Sequence, residues 1–377
     1  MTSPSSTAAV PRAGLRRAGY LAAAVSLAVL GGCDIGPKDT SQNGYRGTGM
    51  EQVRDRSDYE ATLVDNEAPE PLAPVTDPGP PAAWQNVQVL NDISVAEFNR
   101  TMIAMTNWVS PDQGCAYCHN IANFASDTDA AGDTIYTKIV ARRMIQMTRD
   151  VNANYKTHVG YTGVTCYTCH RGNPVPNGYW YFTDNDQYLR HYLDRDDVRV
   201  QSHTVAPTPA NRSSINQTNY TYFLMTSQSQ ALGVNCTYCH NSRSWASWTD
   251  APYTRVTALY GIRMLRQVNN EYLAPLAPVY PDYRLGPMGD APKAQCLTCH
   301  QGAPKPLYGA QMAQHYPALW GSASWDSTAA PADTTQGISP APQDTLLRES
   351  PSAAPPPLQP TTPPGATPPP GRSGSNR

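Results

Sequence analysis

Eight of the nine cysteines occur in four pairs, and each pair has two residues between its members and a histidine directly after it. The pairs with their histidines are Cys115, Cys118 and His119; Cys166, Cys169 and His170; Cys236, Cys239 and His240; and Cys296, Cys299 and His300. C-x-x-C-H is the attachment motif of c-type haem. Cysteines three residues apart on a helical turn share one face and can both bond to the porphyrin, while the histidine binds the iron. Two Cys₄ zinc sites, or a set of disulfides, would use the cysteines but would leave the four histidines unexplained. The sequence therefore predicts four covalently bound haem c groups.

The motifs alternate between two types along the chain. The first and third read C-x-Y-C-H-N, whereas the second and fourth read C-x-T-C-H-x-G-x-P-x-P. This alternation predicts a tandem duplication of a two-haem unit, with one copy at residues 92–177 and the other at residues 212–316. Residues 178–211 form the connector between the two copies.

A helix is predicted before each motif, and methionines on these helices are candidates for the second axial ligand of a haem. The first helix begins with a capping box formed by Ser94 and Glu97. The candidates are Met102 and Met105 before the first motif, Met144 and Met147 before the second, Met225 before the third and Met264 before the fourth. A methionine opposite the histidine raises the reduction potential of a c-type haem. Buried methionine is also common core filler, so the position along each helix must separate ligands from packing residues.

The helix before the fourth motif carries a glycine where its counterpart carries a methionine. The segments RDVNANY (149–155) and RQVNNEY (266–272) align, which places Met147 opposite Met264 and Met144 opposite Gly261. A glycine inside a helix costs about 1 kcal/mol relative to alanine, so its presence needs a reason. If Met144 binds the second haem, the fourth haem lacks the matching ligand.

A histidine from the other copy is the strongest candidate for the space above Gly261. His158 lies between the second helix and the second motif, and the matching region of the second copy has no histidine. We expect His158 to reach across to the fourth haem. Ligation by Met288, and an open coordination position at the iron, are the alternatives.

The N-terminus has the features of an exported lipoprotein. Three arginines precede an apolar run at residues 18–30, and the tetrapeptide LGGC follows, ending at Cys33. A basic region, a short apolar region and small residues make a secretory signal, and the apolar run is too short to span a bilayer comfortably. LGGC resembles the lipobox of bacterial lipoproteins, in which the cysteine becomes the lipidated first residue. We expect residues 1–32 to be a signal peptide and Cys33 to carry lipid.

Composition separates a packed body from its ends. The chain contains 36 prolines, and many of them cluster before residue 82 and after residue 330. We expect residues 33–91 to run over the surface as an extended N-terminal segment and residues 317–377 to form a Pro-rich low-complexity tail. The formal net charge of −2 gives no indication of nucleic-acid binding. The body is predicted to be mainly α, with long loops and little β structure.

Together these features resemble the tetrahaem cytochrome c subunit of the purple-bacterial photosynthetic reaction centre, over about residues 90–310 and at the lipobox. That family holds four haems in two pseudo-symmetric pairs, three with His/Met ligation and one with two histidines. The resemblance implies the axial pairs His119 with Met102, His170 with Met144, His240 with Met225, and His300 with His158. The family's spacing between helix and motif matches Met102 and Met144 rather than Met105 and Met147.

The resemblance also implies a function. The family transfers electrons at the periplasmic face of the photosynthetic inner membrane, where it is lipid-anchored and sits on the reaction-centre L and M subunits. It accepts electrons from a soluble donor, either a small cytochrome c or a high-potential iron–sulfur protein, and re-reduces the photo-oxidised bacteriochlorophyll special pair. The implied protein is an electron-transfer subunit and not an enzyme. The residues alone leave two rivals: a multihaem reductase, if the fourth haem has an open position, and a general periplasmic tetrahaem carrier.

An acidic stretch follows the first motif. Asp127, Asp129 and Asp133 come before the first basic residue, Lys138. We hypothesise that they form an acidic face that steers a basic donor. A solvated loop without that role is the alternative.

Overall fold

The computed structural model describes residues 36–193 and 215–321. The predicted signal peptide, Cys33, the second half of the connector and the chain beyond residue 321 lie outside the described residues. The strands are β1 (Lys38–Asn43) and β2 (Met50–Asp55), which pair antiparallel. The helices are α1 (Arg56–Asp65), α2 (Val95–Val109), α3 (Tyr136–Asn154), α4 (Lys156–Val159), α5 (Cys166–His170), α6 (Ile215–Leu232), α7 (Thr254–Gln267) and α8 (Cys296–His300). The prediction of a mainly helical chain with little β structure is confirmed for this part of the chain.

Helix α2 begins where the sequence predicts. The Ser94 hydroxyl accepts a hydrogen bond from the Glu97 amide at 3.2 Å, which satisfies one of the free N–H groups of the first turn. The Glu97 carboxylate does not close the reciprocal half of a capping box but pairs with Arg100 at 3.0 Å. The helix then buries Ala104 and Trp108 against the core.

Two buried asparagines attach the long helices to the motifs that follow them. The Asn152 side chain both donates to the Val164 carbonyl at 2.9 Å and accepts from the Val164 amide at 2.7 Å. Asn269, in the π-helical turn that continues α7, makes the same pair of bonds to Ala294, at 3.0 and 2.8 Å. Val164 and Ala294 each lie two residues before a cysteine pair. The helix and the motif are therefore held at a fixed distance in both places.

The N-terminal segment is more ordered than the sequence predicts. Instead of running as extended chain from residue 36, it forms the β1–β2 hairpin and α1. The hairpin packs on the third motif, because the Thr237 hydroxyl accepts from the Met50 amide at 2.8 Å and donates to the Asn43 carbonyl at 3.0 Å. Gly44, with φ of +78°, lies directly against the Thr237 carbonyl, where a β-carbon would collide. The hairpin was not predicted because its strands are mostly polar and lack the alternation of apolar residues that indicates a strand.

A buried arginine joins this segment to the last described residues. The Arg100 guanidinium is only 7% exposed and donates to the Leu72, Ala73 and His315 carbonyls at 2.7–2.8 Å. Its Cζ also lies 4.2 Å from the centre of the Tyr316 ring. Residues 317–320, which the sequence assigns to the tail, form a 3₁₀ turn with Leu319 and Trp320 buried. The packed chain therefore continues beyond residue 316.

Within the described residues, no helix combines the length and apolar character needed to cross a bilayer.

Loss of the Asn269 side chain should destabilise the protein strongly. In Asn269→Ala the buried Ala294 amide and carbonyl and the Tyr192 carbonyl lose their partner, at about 1–3 kcal/mol for each unsatisfied group. We expect a fall on the order of 3 kcal/mol in the free energy of unfolding, measured by urea denaturation followed by circular dichroism. The control is Asn270→Ala, because Asn270 is exposed and bonds one carbonyl, that of Leu193. Equal losses in the two variants would contradict the structural role of the clamp.

Candidate haem-binding sites

All four motif histidines, and His158, have one ring nitrogen held by a backbone carbonyl. The Nδ1 distances are 3.2 Å for His119 to Phe124, 2.8 Å for His170 to Asn173, 2.9 Å for His240 to Trp245, 2.9 Å for His300 to Ala303 and 2.9 Å for His158 to Thr257. A carbonyl oxygen can only accept, so each Nδ1 carries the proton and each Nε2 keeps its lone pair. This is the tautomer that a metal-binding imidazole requires.

The motifs adopt two local conformations that follow their two sequence types. The first and third form 3₁₀ turns, Gly114–Tyr117 and Cys236–Tyr238, and their histidines bond a carbonyl five residues later. The second and fourth form the α-helical turns α5 and α8, and their histidines bond a carbonyl three residues later. The threonine in C-x-T-C-H accounts for the α-helical start. Thr168 accepts from the Thr165 amide at 2.9 Å, and Thr298 accepts from the Gln295 amide at 2.9 Å.

His158 lies against Gly261, as the sequence predicts. A β-carbon built on Gly261 would stand 2.5 Å from His158 Cε1, 2.9 Å from Nδ1 and 3.1 Å from Nε2. The ring is fixed there by its bond to the Thr257 carbonyl, one turn earlier on α7. The helix thus has a glycine where the imidazole of another helix must pass, and any side chain at this position would displace the ring.

His158 and His300 face one another. Their ring centres are 6.1 Å apart, with 63° between the ring planes. Metal–imidazole bonds are about 2 Å long, so two rings bound to one ion from opposite sides have centres about 6 Å apart. Burial, with the neighbouring His158 as the next cause, lowers the pKa of His300 to about 4, which keeps the ring neutral at pH 7. The pair therefore fits a bis-histidine iron site. Met288, the alternative ligand, is 58% exposed.

The methionines of the two aligned helices differ in their apolar contacts. Met264 is buried in the apolar cluster around Trp180, Tyr192 and Leu224, and Met147 packs against the same cluster. Met144 contacts none of the apolar clusters found among the described residues. Met147 and Met264, which align in the two helices, therefore share one apolar cluster. Met144 occupies the place that corresponds to Gly261.

The other methionine candidates lie at the edges of the apolar clusters. Met102 is partly buried against the cluster of Leu90, Ile145 and Ala318. Met105 packs against that cluster and also against the cluster that contains Trp108. Met225 is partly buried beside the cluster that contains Leu224. Met105 therefore has the more extensive packing role of the two residues on α2.

The second and fourth motifs lie back to back. Arg171 donates to the Cys299 carbonyl at 3.2 Å, and Gln301 donates to the Cys169 carbonyl at 3.2 Å. The Cα atoms of Cys169 and Cys299 are 4.3 Å apart, and their sulfurs are joined as a disulfide in this structure. The sequence assigns both sulfurs to haem thioethers. One sulfur cannot make both bonds, and the close approach of these two cysteines places the second and fourth motifs side by side.

The acidic stretch after the first motif is used within the protein. Asp127 pairs with Arg142 at 2.9 Å and with Lys138 at 3.3 Å, and the bond to Arg142 is the main cause that lowers the pKa of Asp127 to about 2. Asp129 accepts from the amides of Ala131 and Asp133, which closes a turn. The hypothesis of an acidic docking face is therefore weakened at Asp127, because its charge is compensated by two cations.

Sequence reasoning missed the residues that hold the ligands in place. Asn152 and Asn269, and the threonines of the second and fourth motifs, form no part of the predicted site. Their signal was present in the repeat: each asparagine occupies the same place in the aligned segments RDVN and RQVN, and each threonine the same place in C-x-T-C-H.

The chain matches the family described as the photosynthetic reaction centre cytochrome C subunit, over residues 34–190 and 184–320. It is 44% identical to the photosynthetic reaction center cytochrome c subunit of Rubrivivax gelatinosus, with 79% of this chain and 87% of the relative covered. It is 42% identical to the protein of the same name in Thermochromatium tepidum, with 79% of each chain covered. A more distant relative is cytochrome c-554 of Chloroflexus aurantiacus, at 28% identity over 59% of this chain and 69% of the relative.

Such identities, over most of both chains, show common membership. The family carries covalently bound haem c, associates with the membrane as part of the reaction centre and transfers electrons in photosynthesis; its members are not enzymes. The chain therefore belongs to the photosynthetic reaction centre cytochrome c subunits.

Proposed function

We propose that this chain is the periplasmic subunit that returns electrons to the reaction centre through four haems. A soluble donor, a small cytochrome c or a high-potential iron–sulfur protein, reduces the chain, which then re-reduces the photo-oxidised bacteriochlorophyll special pair. Lipid on Cys33 anchors the protein at the periplasmic face of the inner membrane, and the body rests on the L and M subunits.

Each haem is held by two thioethers and two axial ligands. The thioether cysteines are Cys115 and Cys118, Cys166 and Cys169, Cys236 and Cys239, and Cys296 and Cys299. The axial pairs are His119 with Met102, His170 with Met144, His240 with Met225, and His300 with His158. The protonated Nδ1 of every histidine supports this assignment, because Nε2 then carries the free lone pair.

Paired contacts in the two halves support a duplicated two-haem unit. The motif glycine Gly172 donates to the Trp108 carbonyl near the end of α2, and Gly302 donates to the Ala231 carbonyl near the end of α6, each at 2.8 Å. The first and third motifs share a further bond from the start of the next helix: the Thr137 hydroxyl donates to the Tyr117 carbonyl and the Thr254 hydroxyl to the Tyr238 carbonyl. With the asparagine clamps, three contacts of the first half thus have a counterpart in the second.

The observation that carries the proposal is the position of His158 between Gly261 and His300. With haem bound, His158 and His300 would hold the fourth iron from two sides, and such an iron would lack the open position that a reductase needs. Three His/Met sites and one bis-His site give three higher potentials and one lower potential, as suits a carrier that passes single electrons.

The protein's own part is to hold neutral ligands still. When bound, haem c supplies a one-electron Fe(III)/Fe(II) couple. The backbone carbonyls orient the rings, and burial lowers the pKa of all five histidines, so none gains a proton near pH 7. Rigid, uncharged ligands let the electron move without a coupled proton transfer.

A flash experiment tests the function. In native membranes, a short light pulse should oxidise haem of this chain while the special pair is re-reduced at the same rate, followed in the cytochrome α-band. Deletion of the gene should leave the special pair to be re-reduced more slowly. Absence of light-induced haem oxidation in membranes with active reaction centres would favour the general carrier.

The number of thioether bonds to each haem tests the assignment of the eight attachment cysteines. Intact-mass measurement of the holoprotein should give four haems and no disulfide, and the pyridine haemochrome should have the spectrum of haem with both vinyl groups saturated. A retained Cys169–Cys299 disulfide would limit two of the haems to one thioether each, and would show in the mass as two missing hydrogens. That result would contradict the assignment of these two cysteines.

The ligands of the fourth haem are tested by exchanging the residues that meet there. His158→Met should raise the potential of the lowest-potential haem, because a thioether stabilises Fe(II) relative to a second imidazole. Gly261→Met should do the same, since the new side chain occupies the space of the His158 ring. Redox titration with electron paramagnetic resonance is the measurement. Met264→Leu, in the core on the same helix, is the matched control and should leave all four potentials in place. An unchanged lowest potential in folded His158→Met protein would overturn the ligand assignment.

A further inference from the structure

One backbone carbonyl near the first motif receives two donors. The Phe124 oxygen accepts from His119 Nδ1 at 3.2 Å and from Lys138 Nζ at 2.9 Å. Of the five histidine–carbonyl distances, that of His119 is the longest. An ammonium that draws on the same oxygen leaves it a poorer acceptor for the imidazole N–H, because the electron density of the oxygen is shared.

Lys138 is fixed in this position and shielded from solvent. Its side chain is 8% exposed, and Nζ also donates to the Ser126 carbonyl at 2.6 Å. The preceding residue, Thr137, donates through its hydroxyl to the Tyr117 carbonyl inside the motif. This bond fixes the first turn of α3 against the C-x-x-C-H turn. The Lys138 ammonium therefore lies at the Phe124 carbonyl, which orients His119.

The charged side chains near the Phe124 carbonyl have a net positive charge. Lys138 and Arg142 both contact Asp127, so two cations share one carboxylate. The Asp127 side chain is 41% exposed, whereas Arg142 is 15% and Lys138 is 8% exposed. Solvent screens the exposed carboxylate more than the buried ammonium, so the field at His119 is positive.

A positive field and a weakened Nδ1–H bond act in the same direction on a bound iron. Oxidation adds one positive charge to the iron, which a nearby cation opposes. A strong acceptor on Nδ1–H makes the imidazole a more basic ligand and favours the oxidised metal, and a poor acceptor does the opposite. Both effects stabilise the reduced state.

We propose that Lys138 is a positioning residue that raises the reduction potential of the haem ligated by His119. It acts through the Phe124 carbonyl and through its own charge, and Asp127 partly offsets it. The proposal rests on the ligation of His119 to haem given under the proposed function, and concerns the tuning of that site.

Of three variants at the cluster, two should shift the potential in opposite directions and the third should restore it. In Lys138→Met the charge and the donor are lost, and the midpoint potential of one haem should fall. In Asp127→Asn the offsetting carboxylate is lost, and the potential of the same haem should rise. In Lys138→Arg the charge is kept, and the potential should return towards that of the wild-type protein. A residue with only a packing role would not give changes of opposite sign.

The measurement is a spectroelectrochemical titration of the four-haem protein. The haem of His119 is identified by Met102→His, which should lower one component, since a second imidazole replaces the thioether. Intact-mass haem content shows that each variant is fully assembled. The matched control is Lys38→Met, which removes the same charge from the hairpin on the third motif.

The outcomes separate cleanly. A fall in the Met102-dependent component with Lys138→Met, and a rise with Asp127→Asn, would establish the role of Lys138. An unchanged component in assembled Lys138→Met protein, or an equal shift in Lys38→Met, would overturn it. The flash experiment tests the proposed function separately. If light does not oxidise the haems of this chain, the titration still decides whether Lys138 raises the potential of the haem ligated by His119.

Discussion

The structure depends on the direction of five imidazole rings. A hydrogen bond to one imidazole nitrogen fixes the ring and leaves the other nitrogen free for a metal, and in these five residues the acceptor is a main-chain carbonyl. A carbonyl is available only where the backbone turns back towards the ring. The loop after each C-x-x-C-H motif and the Thr257 carbonyl on α7 are shaped to meet that requirement. A carboxylate in the same place would make the imidazole more basic and would add a charge to each site.

The connections between helices and motifs also depend on hydrogen bonds to main-chain groups. Each asparagine clamp satisfies both backbone groups of one loop residue from a single buried side chain. The clamped residues Val164 and Ala294 also pack in the same apolar cluster, so hydrogen bonds and apolar contacts hold the loops together. Arg171 and Gln301 extend the principle across the junction of the two halves, because each residue bonds the main chain of the other motif.

Much of the site could be predicted because its residues occur in short sequence motifs and in an internal repeat. C-x-x-C-H gives the attachment points, and the repeat exposes Gly261 as the place where a side chain is missing, against which the structure places His158. The Ser94 cap is equally local. The hairpin on Thr237 and the Arg100 contacts were not predictable in this way, since their partners lie 187–215 residues away along the chain. At Asp127 the sequence pattern was incomplete for a more local reason: its partner Arg142 lies one helix turn beyond Lys138, and folding of the helix brings both cations to the carboxylate.

The Arg100 contacts impose an order on the maturation of the chain. Arg100 bonds the carbonyls of Leu72 and Ala73 on one side and of His315 on the other, across 215 residues of sequence. A polypeptide that emerges with its N-terminus first can complete this contact only after almost all of the described residues have been delivered. Closure over such a separation is entropically expensive and comes late. The four cysteine pairs lie between those two ends, so each is delivered before the residues around His315 can dock. The cysteines are therefore open to enzymatic modification until the Arg100 contact with His315 has formed.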